Sequence, residues 1–108
     1  MTPFCVVFIS TPKGVPARRI SQALLKARCA ACVNIVPGIV SLYWWKGKME
    51  KAEEALLVVK TRKSLLKKLI RLVKSIHPYS TPEIIALPIV SGFSPYLKWI
   101  KRETRRIK

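Results

Sequence analysis

Two short runs of the chain are apolar at every position. The first covers residues 4–9 and ends at Ser10-Thr11-Pro12, and the second covers residues 55–59. Successive side chains of a strand point to opposite faces of the sheet, so a run without alternation indicates a strand that is covered on both sides. The two runs are therefore predicted to be the central strands of a sheet.

Three other segments repeat apolar residues at steps of three and four, which is the spacing of an amphipathic helix. The first begins near Pro16, the second follows Ser64 as a candidate cap, and the third follows the pair Ser94-Pro95. Each segment is predicted to be a helix with one buried side. The apolar stripes are Ala17, Ile20, Leu24, Ala27 and Ala31; Leu65, Leu66, Leu69, Ile70, Val73 and Ile76; and Tyr96, Leu97, Ile100, Thr104 and Ile107.

Two further strands are predicted, and each contains a proline. Residues 32–45 are strand-like but are interrupted by Pro37-Gly38, a turn follows at residues 46–48, and residues 83–90 carry Pro88. Because proline cannot donate a hydrogen bond to a strand ladder, it is confined to sheet edges and bulges. The second and fourth strands are therefore expected at the edges of the sheet.

The resulting order of elements is β-α-β-β-α-β-α within one domain, residues 1–108. Its first six elements match the split βαβ arrangement, in which the first and third strands are central. The predicted fold is a ferredoxin-like βαββαβ sandwich of the α+β class, with an antiparallel sheet and an additional C-terminal helix.

The second strand ends in the bulky sequence Leu42-Tyr43-Trp44-Trp45. Alternation places large side chains on both faces of this edge strand, and the core of one domain covers only one of them. A strand of about fourteen residues is also longer than a domain of this size needs, at roughly 3.3 Å per residue. We therefore expect self-association, with internal packing of both tryptophans beneath the third helix as the alternative.

Composition limits the class of protein. No apolar run approaches the roughly 18–20 residues that cross a bilayer, and the first residues lack the pattern of a signal peptide. Three cysteines, an odd number, argue against a disulfide framework. These features predict a soluble, cytoplasmic protein.

Few residues of the chain are grouped in a way that indicates a redox, metal-binding or catalytic site. Cys29-Ala30-Ala31-Cys32 has the spacing of a redox pair but falls at the end of the first helix, where buried thiols are favoured over a reactive or metal site. His77 and Glu83 are candidate metal ligands that would need further ligands from a subunit boundary. The alternative for His77 is structural, ending the second helix and bonding to the proline-rich loop. Since no phosphate-binding glycine motif and no placed carboxylate pair is found, the protein is not expected to be an enzyme.

Five ordered motifs resemble the CutA family of divalent-cation tolerance proteins. The likeness covers nearly the whole chain and is weakest in residues 12–28. The motifs are residues 30–38 (AACVNIVPG), residues 41–48 (SLYWWKGK), Lys60-Thr61-Arg62 with Ser64-Leu65-Leu66, His77-Pro78-Tyr79 with residues 82–89 (PEIIALPI), and residues 96–100 (YLKWI).

The resemblance implies a tight homotrimer whose architecture is similar to that of the PII signalling proteins. In it, the hairpin of the second and third strands reaches onto a neighbour through Tyr43, Trp44 and Trp45. It further implies inter-subunit clefts lined by residues similar to Trp45, Lys60, Tyr79 and Glu83. A link to tolerance of copper or other divalent cations is implied as well, with no required cofactor and no established catalytic activity.

The charge of the chain favours a competing hypothesis. Lys and Arg number 21 against 5 acidic residues, none of them Asp, which gives a net charge of +16. Cationic side chains at helical spacing repel one another, so helix stability does not explain them. The alternative function is therefore an engineered or adapted cationic assembly module that binds a polyanionic partner, an acidic protein or a nucleic acid.

Overall fold

The computed structural model describes residues 2–105, which form a four-stranded antiparallel sheet and three helices. The strands follow the order β2-β3-β1-β4, so β1 and β3 are central and β2 and β4 are the edges. This arrangement confirms the predicted ferredoxin-like fold. In chain order the elements are β1 (Phe4–Pro12), α1 (Val15–Lys26), β2 (Cys32–Trp45), β3 (Lys48–Arg62), a 3-10 turn (Lys63–Leu65), α2 (Leu66–Ile76), β4 (Ile84–Pro88) and α3 (Ser94–Glu103).

The core lies between one face of the sheet and the helices α1 and α2. Alternate residues of the two central strands point into it, and they meet the apolar stripes of both helices. The buried cluster consists of Cys5, Val7, Ile9, Ala55, Leu57 and Val59 from the strands, with Ala17, Ile20, Leu24, Cys29, Ala30, Leu69 and Val73 from α1, its C-terminal turn and α2. The third helix, α3, packs separately against β3, where Ile100 has no exposed surface and Arg62 bonds to Thr104.

Both strand prolines lie where the sequence predicts them. The pairing of β2 with β3 shifts register between Val36 and Ile39, and Pro37-Gly38 forms this irregularity, with Gly38 at a φ of 72°. Pro88 is the last residue of the edge strand β4. The predicted hairpin turn is also confirmed, because Lys46 and Gly47 both have positive φ, as a tight two-residue β-turn requires.

The first helix is shorter than its apolar pattern predicts. It ends at Lys26, and Arg28 takes the left-handed conformation, with a φ of 58°. The N–H groups of Arg28 and Cys29 bond to the carbonyls of Leu25 and Leu24 at 3.1 and 3.0 Å, which is a Schellman ending. The apolar spacing continues to Ala31 because the turn itself is buried.

Three other boundaries differ from the prediction. Ser64 does not cap α2 and lies within the 3-10 turn, whose first residue, Lys63, donates its N–H to the carbonyl of Pro3 at 2.8 Å. The fourth strand is shorter than residues 83–90 because only Ile84–Pro88 pair with β1. Ser94 is the first residue of α3 and Phe93 precedes it as the cap. Ile107, placed in the third apolar stripe, lies outside the described residues. No helix in residues 2–105 is long and apolar enough to cross a membrane.

Truncation of Leu57 tests the position of the core. Leu57 has no exposed surface, whereas Leu25 on α1 is 41% exposed. We expect Leu57→Ala to lower the free energy of unfolding by about 2–5 kcal/mol, because it removes buried methyl groups and leaves a cavity. The matched control Leu25→Ala should cost less than about 1 kcal/mol. Denaturant titration of both variants measures the difference, and equal losses would place the core elsewhere.

Candidate functional site

A groove of about 630 Å³ lies between the β2–β3 hairpin and the loop that joins α2 to β4. The hairpin contributes aromatic and aliphatic side chains to one wall, and the loop contributes hydroxyl groups to the other. Its lining residues are Ser10, Val40, Ser41, Leu42, Tyr43, Trp45, Glu54, Tyr79, Ser80, Thr81 and Glu83. The groove therefore brings together three of the predicted cleft residues, Trp45, Tyr79 and Glu83.

A buried carboxylate, Glu54, forms one end of a hydrogen bond that ties the two walls together. Its side chain is almost entirely covered, at 5% exposure, and Oε2 accepts a hydrogen bond of 2.7 Å from the hydroxyl of Tyr79. The pKa of Tyr79 is raised to about 12, mainly by burial and secondly by this hydrogen bond to a carboxylate. The phenol therefore remains a neutral donor at physiological pH.

Sequence reasoning missed Glu54. The signal was present in its position, because Glu54 directly precedes the buried run that begins at Ala55 in a chain with only 5 acidic residues. Its neighbour Glu53 points to solvent and pairs with Lys13 at 2.9 Å. Burial of one glutamate and exposure of the other follows from the alternation of the strand, but the partner of Glu54 lies 25 residues away in sequence.

His77 does not line the groove, but both of its ring nitrogens bond to residues that do, Ser10 and Tyr79. Nδ1 accepts a hydrogen bond of 3.0 Å from the N–H of Tyr79, so the ring proton is on Nε2, which donates to the carbonyl of Ser10 at 2.8 Å. The ring also packs against that of Tyr79, with centroids 4.9 Å apart. These contacts fix the start of the loop and leave neither nitrogen with a free lone pair, which favours the structural role of His77.

The described chain does not supply a complete metal site by itself. Within residues 2–105, no three side chains of His, Cys, Asp or Glu are grouped closely enough to hold a cation. Glu83 is exposed on the groove wall, whereas His77 is buried and both of its ring nitrogens are hydrogen-bonded. The predicted pair therefore does not fit a copper site without ligands from elsewhere and a rearranged histidine.

Lys60 and Trp44 do not line the groove. Lys60 pairs with Cys32 across the sheet, and its ammonium group bonds to the side-chain oxygen of Asn34. Trp44 points away from the groove and is 71% exposed, while Trp45 is 46% exposed. Neither tryptophan is packed beneath α3, so the alternative of internal burial is wrong for the single chain.

The cysteines are free thiols. Cys29 is fully buried in the turn after α1, and burial raises the pKa of its thiol. Cys5 lies in the core, where burial has the same effect on its pKa. Thiols with a raised pKa are poor nucleophiles and poor metal ligands at neutral pH, so Cys29 lacks the environment of a redox-active thiol.

Residues 5–103 match the family described as CutA1 divalent ion tolerance protein. The chain belongs to this family. The CutA 1 protein of rice, named as chloroplastic, is 48% identical over 103 residues, which cover 95% of this chain and 58% of the relative. The divalent-cation tolerance protein CutA of Thermus thermophilus is 48% identical over 99 residues, covering 92% of this chain and 96% of the relative.

Solved structures of the CutA1 family share the whole fold. The crystal structure of CutA1 from rice superposes with a TM-score of 0.94 at 46% identity, covering 98% of this chain and 97% of that one. A structure from Archaeoglobus fulgidus, named as periplasmic, gives a TM-score of 0.92 at 40% identity, over 94% and 99% of the two chains. The chain spans about 58% of the length of its rice relative. The names of CutA relatives thus include more than one compartment.

Titration of Tyr79 tests the buried link in the groove. The pKa of a tyrosine is ordinarily about 10. Since the folded state raises it to about 12, the neutral phenol stabilises the fold; this contribution is complete below pH 10 and is lost as the pH rises through 12. We expect Glu54→Gln to lower the pKa of Tyr79 while burial keeps it above 10.

The measurement is ultraviolet difference spectroscopy of the phenolate band, with Tyr79→Phe used to assign the step. Glu53→Gln removes the same charge from the adjacent residue and should leave the titration of Tyr79 unchanged. Identical curves for Glu54→Gln and Glu53→Gln would contradict the hydrogen bond.

Proposed function

We propose that the chain is a non-enzymatic, homotrimeric member of the divalent-cation tolerance family and acts in the cytoplasm. The observation that carries the proposal is the apolar surface that the single chain leaves uncovered. A monomeric soluble protein seldom exposes a large contiguous apolar patch, and such patches mark interfaces. Here the exposed set includes Val36, Val40, Leu42, Tyr43, Trp44, Trp45, Met49, Ile85 and Leu87.

The uncovered surface has two parts that suit a neighbouring copy. The first is the sheet face opposite α1 and α2, where Phe8 lies between Val58 and Ile85 in register. The second is the end of the hairpin, which carries Leu42 and Trp44 on one side and Tyr43 and Trp45 on the other. An interface in which the hairpin of one copy lies on the sheet of the next is heterologous, and it closes when three copies form a ring.

In the proposed trimer, the groove would become part of the interface between two copies. Its walls already hold Tyr43, Trp45 and Tyr79, and a neighbouring copy would turn the open groove into an inter-subunit cleft. Glu54 and Glu83 are the carboxylates of that cleft. In a chain with a net charge of +16, they form a local acidic site for a divalent cation such as copper, provided that the neighbour supplies further ligands. The function would then lie in binding, with no bond made or broken.

The absence of an assembled nucleophile and base in the described chain supports a non-enzymatic role. The buried polar contacts of the groove, those of Glu54, His77 and Tyr79, are all mutual or made to the backbone. They hold the loop against the hairpin. The comparisons do not favour an engineered cationic module, because a match over 95% of the chain at 48% identity accounts for the sequence as a family member.

The oligomeric state tests the first part of the proposal. We expect light scattering to give three times the chain mass of 12.3 kDa at micromolar concentration. The double variant Leu42→Glu with Trp44→Glu should dissociate, because it places charge in an apolar contact. Val15→Glu with Leu25→Glu makes the same change on the exposed side of α1 and should leave the mass unaltered. A monomeric parent protein would refute the proposal.

Copper titration tests whether His77 is a ligand or a structural residue. We expect His77→Ala to lower the free energy of unfolding by about 1–3 kcal/mol, since it leaves the Ser10 carbonyl without its donor. Calorimetry with Cu(II) should give the same affinity for the folded variant and the parent protein, while Glu83→Gln should weaken binding. His77→Gln, which keeps a donor, serves as the control for stability. Weaker binding in both histidine variants would make His77 a ligand.

A further inference from the structure

A second cavity lies near the last residue of β3, at the end opposite to the hairpin turn. It has a volume of about 710 Å³ and is lined by Lys26, Ala27, Arg28, Arg62, Leu65, Lys68 and Thr104. We call it the basic cavity. We propose that it binds a small compound with linked phosphate groups, such as pyrophosphate. This site is separate from the groove, and it goes beyond the function proposed above.

The backbone of Arg28 is the first observation. Arg28 occupies the left-handed position after α1, which is usually glycine in helices that end in this way, and its φ of 58° is disfavoured for a residue with a Cβ. From this position its guanidinium reaches α3, where Nη1 donates to the carbonyl of Glu103 at 3.1 Å and to Oε1 at 3.2 Å. Residues held in disfavoured backbone conformations are concentrated at functional sites.

Arg62 is anchored on the same helix end. Its Nε donates to the hydroxyl of Thr104 at 2.8 Å and its Nη2 to the carbonyl of Thr104 at 3.0 Å. These bonds use neither Nη1 of Arg62 nor Nε and Nη2 of Arg28. Each guanidinium is therefore held in place from one side and keeps N–H groups for another acceptor. A planar guanidinium that is already ordered matches the geometry of phosphate oxygens.

The positive charge of the basic cavity exceeds the negative charge of the described carboxylates that contact it. Within residues 2–105, its wall carries four cations, Lys26, Arg28, Arg62 and Lys68, and the carboxylate paired with them is that of Glu103. Lys26 lies in the last turn of α1, and Lys68 reaches the carbonyl of Ala27 at 3.5 Å. Both lysines complement the negative end of the α1 dipole. The two arginines bond likewise to the last carbonyls of α3, those of Glu103 and Thr104, and within residues 2–105 these bonds still leave other N–H groups of both guanidiniums for a ligand.

The lining also limits the class of ligand. Ala27 and Leu65 are its apolar members, and among the described lining residues there is no aromatic ring on which a nucleobase would stack. The volume is large for one phosphate group, and four cations call for an anion of several charges. Two or three linked phosphate groups without a base satisfy both conditions. The net charge of +16 would also raise the local concentration of such an anion.

The experiment is a calorimetric titration of the full chain, in its native assembly, with pyrophosphate at low salt. We expect saturable binding with one site per chain. Arg28→Gly and Lys68→Gln should each weaken it by about tenfold or more, the loss expected when a charge-assisted hydrogen bond is removed. Arg28→Gly relieves the disfavoured backbone, so this variant is expected to fold, and a thermal melt checks that it does.

Lys67→Gln is the matched control, because it removes the same charge from the adjacent position of α2, outside the cavity. It should change the affinity by less than about twofold, as expected for a screened surface charge. Equal losses for Lys67→Gln and Lys68→Gln, or a titration that does not saturate, would reduce the effect to general surface charge and overturn the proposal.

Two further ligands separate the possible sources of phosphate. Orthophosphate should bind more weakly than pyrophosphate, and equal affinity would reject the requirement for linked groups. A single-stranded RNA oligonucleotide should not displace pyrophosphate at equal phosphate concentration. If the RNA binds at the cavity and pyrophosphate does not, the site is a nucleic-acid surface and the proposal is wrong.

Discussion

The antiparallel pairing of β1 with β3 is the constraint on which the other layers of this molecule depend. It runs without interruption from Phe4 opposite Arg62 to Pro12 opposite Glu54. In this register, Val7 with Val59 and Ile9 with Leu57 share one face, which the two long helices cover. The same register places Phe8 and Val58 together on the other face, where neither α1 nor α2 lies. Two-layer packing thus buries the half of the sheet that faces α1 and α2, whereas Ile85 and Leu87 on the other face are exposed in the described chain.

The length of β3 divides the molecule into two ends with different chemistry. Near the hairpin, aromatic rings surround a buried glutamate and a phenol that is kept protonated. At the far end, Arg62 closes the strand and lies beside three more cations. A single strand therefore sets the distance between an apolar, weakly acidic groove and a basic cavity. Within the described residues, the two regions share no lining residue.

Local signals in the sequence were sufficient for the sheet. Pro37 and Pro88 mark the edge strands because the missing N–H is a local property, and Gly47 marks the hairpin turn for the same reason. The end of α1 was not predictable from spacing, since the turn after Lys26 buries Cys29 and Ala30 and so continues the apolar pattern of the helix.

The contacts of the candidate sites depend on residues that are distant in sequence. Tyr79 meets Glu54, and Arg28 meets Glu103 across 75 residues. Residue types indicated which side chains carry chemistry, as for Tyr79 and Glu83. The fold alone decides which of them meet: Glu54 lines the groove of the single chain, whereas Lys60, predicted for an inter-subunit cleft, does not line this groove.

The irregularity at Pro37-Gly38 has a consequence for the outer edge of β2. Edge strands with an unbroken row of free amide and carbonyl groups act as templates for fibril growth. Here the register shift divides that row into a stretch before Val36 and a stretch after Ile39, which are no longer in line. A flat strand cannot dock along both at once. Pro37 therefore has two effects. It identifies β2 as an edge strand, and it opposes amyloid-like stacking of a hairpin that is rich in aromatic residues.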